Sequence, residues 1–340
     1  MDKYVIITPE AKGTFFNRLN YLYLAVGSHL DREGMEGRTL RYSKVFLSDS
    51  KNQVTELNDS LLYKDLLVHA SCTVIEQPPL CGSKISILVK TSDDETPVLF
   101  QSLRLTADEA DHCNSYDQTR KLFDKYLQSL DGTGLTMEHN LVRTWIYVEN
   151  IDANYQGVVT ARNDVFALQG LTRDTHYIAS TGIGGSTPEN NSCVAMDFLT
   201  LPDVKPEDIY YLQAIDHLNP TYEYGVAFER GTRVTLPGKW QYFISGTASI
   251  DKEGNVVWPG DVKRQTGRLL ENIGALLSDG GATMNDIQYF LIYLRDISDY
   301  PVVEALMNRL YPDIPHLIVE ARVCRPGWLI EMECIAEKKI

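Results

Sequence analysis

The chain has 340 residues, 44% hydrophobic and 23% charged, with a formal net charge of −14. That length predicts two domains of ordinary size, and the acidic balance argues against nucleic-acid binding. There is no run of about 20 apolar residues for a membrane span, and MDKYVIITPEAKGTF is too polar for a secretory leader. The six cysteines (Cys72, Cys81, Cys113, Cys193, Cys324, Cys334) form no CxxC pair. They fit reduced thiols in a cytoplasmic protein, without disulfide scaffold or metal site. In so acidic a chain, an anionic ligand depends on a few local arginines.

Along the chain, YVIIT opens as a strand. The aromatic-rich GTFFNRLNYLYLAVG has a spacing that does not decide between helix and strand. LRYSKVFLSDS reads as a strand ending in a polar turn. NQVTELNDSLLYKDLLVHA reads as a helix or as a loop with short strands. From about residue 70 the pattern sharpens. SKISILVKTS and PVLFQSLRLTA alternate as strands around SDDET. Leu122, Phe123, Tyr126, Leu127 and Leu130 fall at helical spacing in QTRKLFDKYLQSL. MEHNLVRTWIYVENI is a strand with Arg143, Trp145 and Tyr147 on one face, and NYQGVVTARNDVFALQGL a helix.

The second half repeats the order. WQYFISGTASID and NVVWP are strands around the turn Lys252–Gly254, DVKRQTGRLLENIGALLSDGG is an amphipathic helix, IQYFLIYLRDI a strand and YPVVEALMNRLYP a helix. WIYVENI overlays LIYLRDI at an offset of 146, Trp145 against Leu291. The chain thus reads as α+β, with two related halves that each pack a mixed sheet against helices. Residues 1–205 form the first half, with an N-terminal extension and a loop-rich connector over 180–204; residues 206–340 form the second. STGIGG in the connector lacks the GxxxxGK[ST] pattern and implies no nucleotide site; a tight turn or close backbone approach accounts for its glycines.

The chain ends in PHLIVEARVCRPGWLIEMECIA, read as a hairpin turning at Pro326-Gly327. Alternation puts Glu331 and Glu333 on one face, and Glu320, Arg322 and Cys324 on one face of the first run. Two such acids are either solvent-facing or ion-paired, or they belong to a cleft whose burial holds a carboxylic acid protonated.

GTASID–GNVVWPGD, Gln265 with LLENIGALL, GATMNDI, LIYLRDI and IEMECIA resemble the YjgF-like, reactive-intermediate deaminase fold. That family carries a Pro-x-Arg whose arginine holds the substrate carboxylate; here Pro315, His316 and Leu317 stand instead, against ordinary imine or enamine deamination. LVRTWIYVENI, Tyr155 with ARNDVF, ASTGIG, SGTASI and EARVCRP–WLIEME resemble the chorismatases, over about residues 95–340.

The chorismatase resemblance implies hydrolysis of chorismate to pyruvate and 3-hydroxybenzoate or a dihydroxycyclohexadienoate, with no metal and no organic cofactor. The enol ether of chorismate breaks after protonation of its methylene carbon, which demands an acid still protonated at neutral pH. The resemblance places Glu331 there, with Glu333 as second choice. Two substrate carboxylates call for arginine forks, for which Arg143, Arg162 and Arg230 are the candidates. Tyr222 would hydrogen-bond the substrate. Gly246 and Cys324 would line the ring pocket, Gly246 leaving room, and go with the 3-hydroxybenzoate branch. The partner is then a small anionic molecule, and the protein a monomer. Two alternatives stay open: a Rid-type deaminase acting on another enol or imine, and a non-catalytic metabolite-binding protein of the same fold.

Overall fold

The alternating and helical patterns resolve into three copies of one β-α-β-α-β-β unit. The computed structural model describes residues 2–340. The first unit is β1 (Asp2–Ile7), α1 (Phe15–Met35), β2 (Thr39–Leu47), α2 (Ser50–Asp59), β3 (Ser71–Glu76) and β4 (Ile85–Ser92). The second is β5 (Leu99–Leu103), α3 (Ser115–Leu130), β6 (Leu141–Val148), α4 (Ile151–Leu168), β7 (Ala179–Gly184) and β8 (Val194–Thr200). The third begins with an added β9 (Ile209–Tyr211) and β10 (Gly231–Leu236). It continues with β11 (Lys239–Ala248), α5 (Val262–Asp279), β12 (Ile287–Leu294), α6 (Tyr300–Leu310), β13 (His316–Glu320) and β14 (Ile330–Lys339).

The sheet orders are β1-β4-β2-β3, β5-β8-β6-β7 and β13-β12-β14-β11-β10-β9. In each unit the first strand pairs antiparallel with the last, the last with the second, and the second parallel with the third. A register shift recurs at the same place in each second strand, just before Tyr42, Arg143 and Tyr289. This fixes Phe46, Tyr147 and Tyr293, each four residues on, as equivalent positions.

The expected related α+β units are present, and the first 92 residues add a third. SKISILVKTS therefore belongs to the first sheet as β4, and not beside PVLFQSLRLTA, which is β5. The undecided GTFFNRLNYLYLAVG is the start of α1. Thr14 accepts from Asn17 N, and the Asn17 side chain reaches back to Thr14 N, a capping box that fixes the start. Leu19, Leu22 and Val26 are buried while Phe16 and Leu24 lie exposed, so apolar residues on both faces blur the period. NQVTELND is helical as α2, and NVVWP is no strand: only the bridge Ile250–Val256 forms.

The terminal segment is not a hairpin, because β12 lies between β13 and β14. β13 stops at Glu320, so Arg322 and Cys324 sit on a connector and strand alternation does not apply to them. The sheets turn one face to their own helices and the other to a shared core. Tyr42, Phe46, Trp145, Tyr147, Tyr289 and Tyr293, from all three units, are buried together in that core. Buried ion pairs join the units there: Lys44–Asp197 at 3.5 Å and Arg143–Glu333 at 2.9 Å, with Lys90–Asp2 at 2.7 Å inside the first unit. No described helix is long and apolar enough to cross a membrane.

Candidate active site

Glu331 and Glu333 share a face of β14 as alternation requires, and that face is buried: they are 4% and 2% exposed. Their neighbour β11 carries a β-bulge. Ile244 faces Cys334 and Thr247 faces Met332, so Ser245 and Gly246 together stand opposite Glu333. The bulge turns Ser245 toward the second unit. Its Oγ accepts from Ser180 N at 2.9 Å and donates to the Glu229 carbonyl at 2.6 Å. Gly246 N donates to Thr181 Oγ1 at 2.9 Å.

The two carboxyls lead different lives. Both oxygens of Glu333 are engaged: Arg143 Nη2 donates to Oε2 at 2.9 Å and Trp145 Nε1 to Oε1 at 2.7 Å. Glu331 instead lines a cleft between the second and third units. Burial first, and then the charge of Glu333, push its carboxyl up to about 8, against the opposing pull of Arg143 and Arg230. It is therefore a carboxylic acid that keeps its proton at neutral pH. A Cβ on Gly246 would stand 2.0 Å from Glu331 Oε1. The expected space at Gly246 is thus taken by the acid itself.

The cleft is small and partly open to solvent. Its walls are Val226, Phe228, Ala248, Ile250 and Trp328, with three cations, Arg162, Arg230 and Arg325. Arg162, on α4, is 1% exposed, yet its Nε and Nη2 have no hydrogen-bond partner. Buried donors of this kind are costly to leave unpaired, and these belong to a side chain that lines the cleft. Arg230 is anchored by the Asn219 carbonyl, which accepts from Nε at 3.3 Å and from Nη2 at 3.0 Å. The Arg162 and Arg230 guanidiniums lie 5.8 and 5.5 Å from the Phe228 ring. Burial raises the Tyr155 hydroxyl and the Cys324 thiol, the thiol to about 12. Cys324 is therefore a neutral wall and not a thiolate. Among the described residues no group of His, Cys, Asp and Glu is placed to hold a metal ion.

Of the expected residues, Glu331, Arg162, Arg230, Gly246 and Cys324 meet at the cleft. Arg143 does not reach it. Its guanidinium is 1% exposed and is spent on Glu333, Thr181 and Ser245, so it cannot clamp a substrate. Tyr222 is 47% exposed and lines an adjoining depression that shares only Phe228 and Arg230 with the cleft. Tyr155, Phe228, Arg325 and Trp328 escaped the sequence reading as site residues. The signal for Tyr155 lay in STGIG: a Cβ on Gly182 would meet the Tyr155 ring at 3.0 Å, so the glycine makes room for it.

The repeat shows how the interface carrying Glu331 differs from the others. Tyr293 pairs with Glu331, Tyr147 with Ala195 and Phe46 with Ser86; the acid has no counterpart in the other two units. Asp197 stands where Glu333 does, but takes Lys44, Thr73, Tyr147 and Arg104.

The family model for Endoribonuclease L-PSP matches residues 233–338, which is most of the third unit. A RutC family protein of Pyrococcus abyssi is 37% identical over 103 residues, covering 28% of this chain and 78% of that protein. The 3-aminoacrylate deaminase RutC of Acinetobacter baylyi is 31% identical over 96 residues, covering 28% and 76%. A crystal structure of a chorismatase superposes on the whole molecule with a TM-score of 0.70, at 17% identity, covering 99% of this chain and 98% of that one. The fold of all three units is therefore that of a chorismatase.

Proposed function

The chain belongs to the RutC family, and we propose that it is a chorismatase-type hydrolase, cleaving the enolpyruvyl ether of chorismate without a cofactor. The observation that carries this reading is one cleft holding both a protonated buried acid, Glu331, and a buried guanidinium, Arg162, with two unpartnered nitrogens. Arg162, Arg230 and Arg325 supply cations suited to a dianion. Glu331 gives its proton to the enol methylene carbon, which leaves an oxocarbenium ion. Water adds to that ion, the hemiketal collapses to pyruvate and the ring alcohol, and the proton released by the water returns to Glu331. By their resemblance Gly246 and Cys324 favour the branch that ends at 3-hydroxybenzoate, in which the ring alcohol also loses its remaining ring hydroxyl as water, with a ring proton, on becoming aromatic. Purified protein mixed with chorismate should release pyruvate with a matching amount of ring product. No pyruvate from a folded sample would reject the reading.

The relative named as a 3-aminoacrylate deaminase favours a second reading, enamine or imine hydrolysis. An enamine is likewise protonated at carbon, at the position β to its nitrogen, so Glu331 would serve either reaction. His316 and Leu317 stand where the deaminases have an arginine to hold a monocarboxylate, which weighs against it. Ammonia release from 3-aminoacrylate, with chorismate untouched, would decide for this second reading.

A further inference from the structure

We propose that Glu333 is the positioning residue of the site: an anion clamped at both oxygens that keeps the proton on Glu331 and holds the gap in which Glu331 sits. This rests on the reading of Glu331 as the acid. The geometry forms one connected chain. Trp145 and Arg143 take one oxygen of Glu333 each. The same Arg143 Nη2 donates to Thr181 Oγ1 at 2.5 Å, and that oxygen accepts Gly246 N. Gly246 is the residue whose missing Cβ leaves space for Glu331 Oε1. Glu333 thus acts twice on its neighbour, through space as a like charge and through Arg143 and Thr181 as a brace.

With no carboxyl oxygen free, Glu333 is badly placed to take the proton or to reach a substrate. Behind it, Lys44 of the first unit lies 3.4 Å from the centre of the Trp145 ring, which backs the indole. The charged and titratable groups around the pair come from every packed element. Glu331 faces Glu333 on its own strand, Arg143 from β6 and Arg230 from just before β10. Tyr155 and Arg162 approach from α4, and Cys324 and Arg325 from the connector. Glu333 faces Arg143, Lys44, Tyr42, Tyr147, Tyr289, Tyr293 and Cys334. Removing one negative charge leaves Glu331 among arginines, and its proton is lost more easily.

The test is the pH profile of kcat/KM for chorismate, read beside the Glu331 carboxyl signal in 13C NMR, identified by its loss in Glu331→Gln. In Glu333→Gln the alkaline limb should move to lower pH by about one pH unit or more, so that turnover falls at pH 8 and recovers toward pH 5. Trp145→Phe removes one clamp while keeping a ring, and carries the test if Glu333→Gln does not fold. Its Glu331 signal at pH 7 should move toward the carboxylate position, because a Glu333 released from the indole can turn away from Glu331 and repel its ionised form less. An unmoved limb and an unmoved Glu331 signal would overturn the proposal. So would a folded Glu333→Gln that is inactive at every pH, since Glu333 would then be the donor. Full turnover by Glu331→Gln would instead reject the underlying assignment.

Discussion

Glu331 ties chemistry to stability. Glu331→Gln keeps the shape and removes the transferable proton, so chorismate should still bind while turnover falls about 10²–10⁴-fold. In the parent protein kcat/KM should fall as pH rises through about 8, where the acid ionises. The same displacement acts on folding. Between the ordinary 4.5 and about 8 the folded chain keeps a proton that the unfolded chain has released, so stability declines across that window as pH rises, by about 1.4 kcal/mol for each step of one in pH. Gln does not titrate. The Tm advantage of Glu331→Gln over the parent should therefore be larger at pH 8 than at pH 5; an equal difference at both pH values would contradict the burial of the acid. Arg162→Met should likewise raise Tm, because a buried, unpartnered cation disappears, while kcat/KM for chorismate drops roughly 10- to 100-fold. A lower Tm with kinetics unchanged would mean that Arg162 is structural. The alternation of IEMECIA was enough to pair Glu331 with Glu333 on one face. It could not say which of them was spent on Arg143, because that bond joins residues 190 apart in sequence.

At the scale of elements, the third unit was the most legible, because WQYFISG, IQYFLIY and LIEMECIA are clean strand runs around a well-patterned helix. The error at the end of the chain has a physical cause. β13 pairs parallel to β12, and two neighbouring strands joined by a Pro-Gly turn look the same in sequence whether they pair together or flank a third. The first unit was opaque for another reason: α1 shows Phe16, Tyr21 and Leu24 to the outside, so its apolar period is diluted. Element packing also yields a prediction. Gly157 on α4 lies so close to the start of α3 that a Cβ would stand 2.3 Å from Ser115 Oγ and 2.9 Å from Tyr116 N. Gly157→Ala must push the two helices apart, at about 1–3 kcal/mol, despite the better helix propensity of Ala. Denaturant melts should show the loss; an unchanged midpoint would mean that the crossing relaxes freely.

As a whole molecule, three units close on one another around a shared core, with the bridges Glu76–Ser186, Pro79–Val319 and Ala179–Glu229 linking each unit to the next. Light scattering should give one chain of 38.4 kDa; a stable trimer at micromolar concentration would contradict this. The closed ring also bears on heredity. In an assembly of three identical chains, one codon change alters three junctions at once, so no junction can drift while another keeps its task. Here each junction is written separately. Ala195 and Ser86 occupy the places that match Glu331, and Lys44 with Arg104 has settled around Asp197. A mutation that would poison all the clefts of a trimer touches one seam in this chain, and two of the three seams are free to specialise as scaffold.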